Sequence, residues 1–151
     1  MISFKEYLNK GLVKPQRSNF RQIAMQIERA KKDLLTFRLI LDQDPEWASA
    51  IAYQAMLRAG RALIFAHGFL PSDGQQHKTT VELTGKILGS RFSTVIRQFD
   101  KLRKKRNVFF YDSADAHNYT EAHTAIRTAK ELIEEISGRI SSIDPQKAMP
   151  E

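Results

Sequence analysis

The sequence predicts an all-α protein, an up-and-down four-helix bundle with one additional short helix. Apolar residues recur at three- and four-residue spacing along most of the chain, the period of helices with one buried face. Capping residues stand where those periodic runs begin and end. No stretch alternates apolar and polar residues as a half-buried strand would, and the short connections between runs favour antiparallel neighbours.

Residues 1–18 read as a polar arm, interrupted by Gly11 and Pro15, with a helical turn or two at most. The first long helix is predicted from Phe20 to Leu41. Ile23, Ile27, Ala30, Leu34, Phe37 and Leu41 form one stripe, with Glu28, Arg29, Lys31, Lys32 and Asp33 mostly turned away from it. Asn19 is placed to cap its start. Asp44-Pro45-Glu46 opens the second helix, with a strong N-cap, a proline at the first position and an acid at the positive end. Its body, Trp47 to His67, is apolar on nearly every side, which predicts burial all round, and Gly68 supplies a left-handed stop. Gly60 within it implies close packing. A shorter helix is predicted over Gln76–Leu88, with Gly85 and Gly89 bracketing its end. A fourth runs from about Phe92 to Asn107, with Phe92, Val95, Phe99 and Leu102 inward. The last begins near Asn118, where Asn118 and Glu121 have the spacing of a capping box, and buries Ala122, Ile126, Ala129, Ile133, Ile136 and Ile140. Residues 19–141 then form one helical domain and residues 142–151 a loose tail.

A chain of 151 residues suits one domain. The net charge of +7 raises the prior for a polyanionic partner, most often nucleic acid. The sequence contains no cysteine, which excludes disulfides and thiolate metal sites and fits a reducing compartment. Its first residues carry no secretory signal pattern, and the longest apolar run inside a helix, Ala62 to Ala66, is far too short to span a bilayer. A cytoplasmic location follows as an expectation. His67, His77, His117 and His123 are scattered, with no pair at helical spacing, so neither a metal site nor a cofactor is predicted.

The chemistry concentrates between Arg97 and Arg106, where six basic residues (Arg97, Lys101, Arg103, Lys104, Lys105, Arg106) face one acid, Asp100. Clustered Lys and Arg can hold phosphates at a salt-dependent cost. Arg106 differs from its neighbours: four residues beyond Leu102, it continues the buried row instead of the solvated one. A guanidinium there requires a partner, whether Asp112 or another carboxylate, backbone carbonyls, or a phosphate.

Two segments resemble the HEPN superfamily. One is the Tyr53-to-Gly68 helix followed by His77-Lys78, similar to that family's buried second helix. The other is Leu102 to Asp112, similar to its signature near the end of the fourth helix. The resemblance implies a four-helix bundle with a short extra helix, often paired as a homodimer. Many members are RNA-cutting toxins of toxin–antitoxin or defence systems, with a small nucleotidyltransferase as antitoxin; others bind nucleotides or act as accessory modules. In the nuclease members an arginine and, after four to six intervening residues, a histidine line a cleft between subunits. Arg106 and Asn107 match the first part of that motif, and Tyr111 occupies the histidine position. Histidine suits acid–base work because it titrates near ~6.5, whereas a phenol titrates near ~10. The resemblance therefore implies RNA or nucleotide binding at Arg106, Asn107 and Tyr111, with Arg97, Lys101, Arg103, Lys104 and Lys105 gripping the flanking backbone. Metal-independent RNA cleavage is the alternative, and a regulatory bundle binding a protein the next.

Overall fold

The computed structural model describes residues 3–72, 74–108 and 118–148, with residues 106–108, 118, 147 and 148 described by backbone alone. It is all-helical apart from one two-stranded ribbon. The elements are α1 (Lys5–Asn9), β1 (Val13–Pro15), α2 (Phe20–Ile40), α3 (Pro45–Ala66), β2 (Phe69–Pro71) and α4 (Gln76–Leu88). A 3₁₀ turn (Ser90–Phe92), α5 (Ser93–Val108), α6 (Asn118–Ile143) and α7 (Pro145–Ala148) follow.

The caps act where the sequence places them. Asn19 accepts from the Gln22 amide and Asp44 from the Trp47 amide, and each satisfies a backbone donor that has no partner inside its helix. Gly68 and Gly89 have φ of 91° and 89°, the left-handed region in which glycine alone is unstrained. The carbonyls left over at the end of α3 are also covered: the Ser18 hydroxyl reaches Phe65 O at 2.8 Å and Ala66 O at 3.2 Å.

The ribbon is a departure from the strand-free expectation. β1 and β2 pair antiparallel, Val13 opposite Pro71 and Pro15 opposite Phe69. Strands of three residues are too short to show an alternating pattern; the turn at Gly68 creates the pairing by folding the chain back, so that Gln16 N bonds Gly68 O. Through this ribbon the N-terminal arm joins the fold: Tyr7 and Val13 are buried with Ile64 and Leu83 in a small second core. At the other end α6 continues to Ile143 and Asp144 is buried.

α3 is the hub. It packs against α2, α4, α5 and α6, and those four also contact one another in the order α2–α6–α5–α4 around it. Five alanines on α3 (Ala48, Ala52, Ala55, Ala59, Ala62) are at most 2 % exposed, so neighbouring backbones come close. Gly60 permits the closest approach, since a Cβ there would sit 2.7 Å from Thr84 Oγ1 and 3.0 Å from Thr80 Cγ2. Gly85 lies inside α4, not at its end, and a Cβ there would sit 3.0 Å from Ile96 Cγ2 of α5. Arg139 of α6 closes the other end of α4, donating to Ile87 O and Leu88 O at 3.3 and 3.2 Å.

The ring of helices is not closed. α2 and α4 make no substantial contact with each other, so one face of α3 looks into an open cleft. This corrects the expectation that α3 is buried all round. Trp47 is 59 % exposed, and Ile51, Gln54, Arg58, Arg61 and Phe65 continue along the same face at four- and three-residue steps, none of them fully buried. A second correction concerns Asp33, expected at the solvated side of α2. It is buried, with Arg29 Nε at 3.3 Å and Arg58 Nε at 3.6 Å from its two oxygens. Two guanidiniums repay the desolvation of one carboxylate there.

Candidate functional site

α5 carries the basic segment, and its buried row of Val95 and Phe99, with Leu102 partly buried, fixes which cations face outward. Arg97, Lys101 and Lys105, four residues apart, form a row along the edge that meets α6. Between the two helices runs a groove of about 220 Å³, lined by Gln98, Lys101 and Lys105 on one wall and by Thr120, Thr124 and Thr128 on the other. The Thr124 and Thr128 hydroxyls bond carbonyls of their own helix, which takes two of the donors on the α6 wall. Arg127 of α6, exposed and 3.5 Å from Thr124 Oγ1, adds a cation at the opposite rim.

The five expected phosphate-gripping cations are not equivalent. Asp100 takes two of them, Arg103 at 2.8 Å and Lys104 at 3.3 Å, as its i+3 and i+4 neighbours. Burial pushes the Asp100 carboxyl up, but hydrogen bonds and charge from Arg103 and Lys104 outweigh it and hold that carboxyl below its usual range. Lys105 is bound by Glu121 of α6, which ties the two helices together. Arg97 and Lys101 are exposed and have no carboxylate partner among the described residues. Arg106 and Asn107 lie in the last turns of α5, where only the backbone is described, and Tyr111 lies outside the described residues.

The open cleft beside α3 was not legible as a site, because its polar residues sit singly in an alanine-rich helix. It has two compartments that share Gln54 and Arg58. One, of about 520 Å³, lies between α2 and the second half of α3; Gln22, Gln26, Arg61 and Phe65 line it. The other, of about 420 Å³, lies toward the start of α3, with Asp44, Glu46, Trp47 and Leu102 in its walls. Tyr53, buried on that side, shares a hydrogen bond of 2.9 Å with His77 Nδ1 at the start of α4 and packs against Phe99. This fixes α4 against the basic helix. Among the described residues no three His, Asp or Glu side chains gather as a metal site would require, and no helix is long and apolar enough to cross a membrane.

No curated protein matches the sequence. The HEPN domain family matches it over residues 23–140, from the first buried residue of α2 to the last of α6. That span takes in the hub helix, the open ring around it and the basic α5, and the chain belongs to the HEPN family.

Proposed function

We propose that the protein binds RNA along the α5 edge of the α5–α6 groove, as a binding module and not as a nuclease. The observation that carries this reading is the row of Arg97, Lys101 and Lys105. Successive members stand about 6 Å apart along a helix, comparable with the spacing of phosphates along a nucleic-acid strand. The first two cations of the row, Arg97 and Lys101, spend their charge on no carboxylate among the described residues. Arg103, Lys104 and Lys105 are held by Asp100 and Glu121 and contribute to the field more than to direct contacts. The family resemblance adds Arg106 and Asn107, at the end of the same helix, to the binding residues. Binding is preferred to cleavage because Tyr111 stands where the nuclease members have a histidine, and a phenol is a poor base at neutral pH. The family resemblance extends the proposal to a homodimer serving a toxin–antitoxin or related defence system, with a small nucleotidyltransferase as partner.

Fluorescence anisotropy with a labelled single-stranded RNA, repeated across a salt series, tests the reading. Two phosphate contacts, from Arg97 and Lys101, give a slope of log K against log salt of about −1.4, and Arg97→Gln/Lys101→Gln brings it close to zero. Binding indifferent to salt, or unchanged in that variant, refutes the proposed edge. The same RNA incubated with EDTA tests the competing reading: metal-independent cleavage that Arg106→Ala abolishes replaces the binding module with a nuclease.

A further inference from the structure

The compartment at the start of α3 is apolar inside and acidic at its mouth. Trp47, Ile51, Tyr53 and Leu102 supply its apolar wall, and the Trp47 indole stands more than half exposed. Other large apolar side chains are exposed around the same α2–α3 turn: Leu39 in the last turn of α2, and Tyr119 in the first turn of α6. Exposed apolar surface gathered at one place marks a surface that another molecule covers. The turn itself carries Asp42, Asp44 and Glu46, in a chain whose net charge is +7. Asp42 accepts from the Tyr119 hydroxyl and Asp44 from the Trp47 amide, neutral donors that orient a carboxylate without cancelling its charge. None of the three pairs with a cation among the described residues. Farther along α3 the sign changes: Arg58 Nη1 donates to Gln26 Oε1 and Arg61 Nη2 to Gln76 Oε1, both at 2.9 Å, while Asp33 is taken up by Arg29 and Arg58.

Charge and shape together select the occupant. A two-fold pairing of this patch with itself would set three carboxylates against three, so a second copy of the chain is a poor match. A basic partner is a good one, since its lysines and arginines meet the acids and can also lie over the exposed indole. The groove is walled by helices, and Trp47, Ile51 and Gln54 follow at steps of four and three, the spacing of a seam between paired helices. We infer that the start of α3 is a docking groove for a basic amphipathic helix of a protein partner. An aliphatic side chain of that helix enters between Trp47, Ile51 and Leu102, and its flanking Lys or Arg side chains meet Asp42, Asp44 and Glu46.

The docking groove uses none of the cations of the RNA-binding edge and stands or falls apart from it. Trp47 is the one tryptophan of the chain, so its fluorescence reports the groove directly. The probe is a synthetic helical peptide of about five turns, with leucines along one face and lysines on both flanks. Its two controls are the same peptide with glutamates for the lysines, and the same composition in scrambled order. The expected result, titrated into the full chain, is a saturable blue shift of Trp47 emission with a Kd of about 100 µM or tighter for the lysine peptide, and binding about tenfold weaker or more for both controls. Asp42→Lys/Glu46→Lys reverses the charge of the mouth: it weakens the lysine peptide about tenfold or more and strengthens the glutamate peptide. Neither residue belongs to the core, and a thermal melt verifies that the variant is folded; Glu46→Gln, a milder change, weakens the lysine peptide in the same direction. No shift with the lysine peptide overturns the inference, as does an equal shift with either control or indifference to the charge reversal. A blue shift that appears on concentrating the protein without peptide places a second copy in the groove and also overturns it.

Discussion

Gly60→Ala tests the packing that holds the hub helix against α4. The methyl group would arrive 2.7 Å from Thr84 Oγ1 and 3.0 Å from Thr80 Cγ2, with the Phe99 ring edge at 3.8 Å. Both threonines are fully buried and branched at Cβ, so neither can swing aside. Overpacking of this kind costs about 1–3 kcal/mol, and distances this short point to the upper half of that range. Alanine in place of glycine returns about 1 kcal/mol of helix propensity. The net loss is then about 1–2 kcal/mol, which in a chain of this length lowers Tm by roughly 2–8 °C. Differential scanning calorimetry reads it, and a double-mutant cycle isolates the cause. Thr84→Ala removes the atom in the way, so Gly60→Ala/Thr84→Ala recovers about 1 kcal/mol relative to additivity. Thr84→Val keeps an atom of similar size there, so Gly60→Ala/Thr84→Val recovers nothing. Thr84 Oγ1 is buried and without a hydrogen-bond partner, so Thr84→Val alone is neutral or stabilising. A Tm that rises in Gly60→Ala, or equal recovery by valine and alanine, refutes the steric argument.

Three further outcomes are expected. Arg139→Met removes two donors from the carbonyls that end α4 and lowers stability by about 1–2 kcal/mol, while Arg139→Lys, which reaches one carbonyl at best, falls between; chemical denaturation ranks the three proteins. Burial holds the His67 imidazole below its ordinary value of about 6.5, so the folded chain takes up that proton less readily than the unfolded one. Stability from this residue is therefore complete above pH 6.5 and falls as the pH drops through the lowered folded value; Tm plotted between pH 7.5 and 5 slopes less in His67→Phe, which keeps a ring beside Phe4. Light scattering at micromolar concentration gives a particle of twice 17.3 kDa if the chain pairs as proposed, and a single 17.3 kDa particle removes the homodimer.

The elements legible in the sequence are those whose cause is local. Gln76–Leu88 has the predicted bounds because Gly89 ends it, and Asn19 and Asp44 cap the helices they precede because capping needs only the residue and the next turn. What stayed hidden depends on a distant element. The ribbon of Val13–Pro15 exists because Gly68, more than fifty residues on, turns the chain back toward it. Asp33 looks like any surface acid of α2 until Arg58 arrives from α3. The open face of α3 could not be read either, since exposure there depends on whether α2 and α4 meet. One part of the candidate site was within reach: Arg103 and Lys104 stand at i+3 and i+4 after Asp100, the favoured acid-before-base order of intrahelical ion pairs, whereas Arg97 precedes Asp100 and Lys101 adjoins it.

That separation bears on how the basic edge and the open cleft differ. At the α5 edge the cations are exposed and their attraction is long-range, so salt weakens it and sequence matters little; an RNA strand suits such a surface. In the cleft the guanidiniums are held by glutamine oxygens, one turn apart, beside apolar wall, and shape and hydrogen bonding decide what enters. The link between them is physical. Tyr53 shares its hydrogen bond with His77 of α4 and its ring contact with Phe99 of α5, and it lines the cleft compartment that Leu102 of α5 also lines. A ligand that draws α2 and α4 together across the open cleft would press through Tyr53 on Phe99 of α5, one turn before Arg103. Coupling of this kind is reciprocal. A ligand that closes the cleft therefore shifts RNA affinity by the same factor by which saturating RNA shifts that ligand's affinity, and Tyr53→Phe, which keeps the ring and loses the hydrogen bond, diminishes both shifts together.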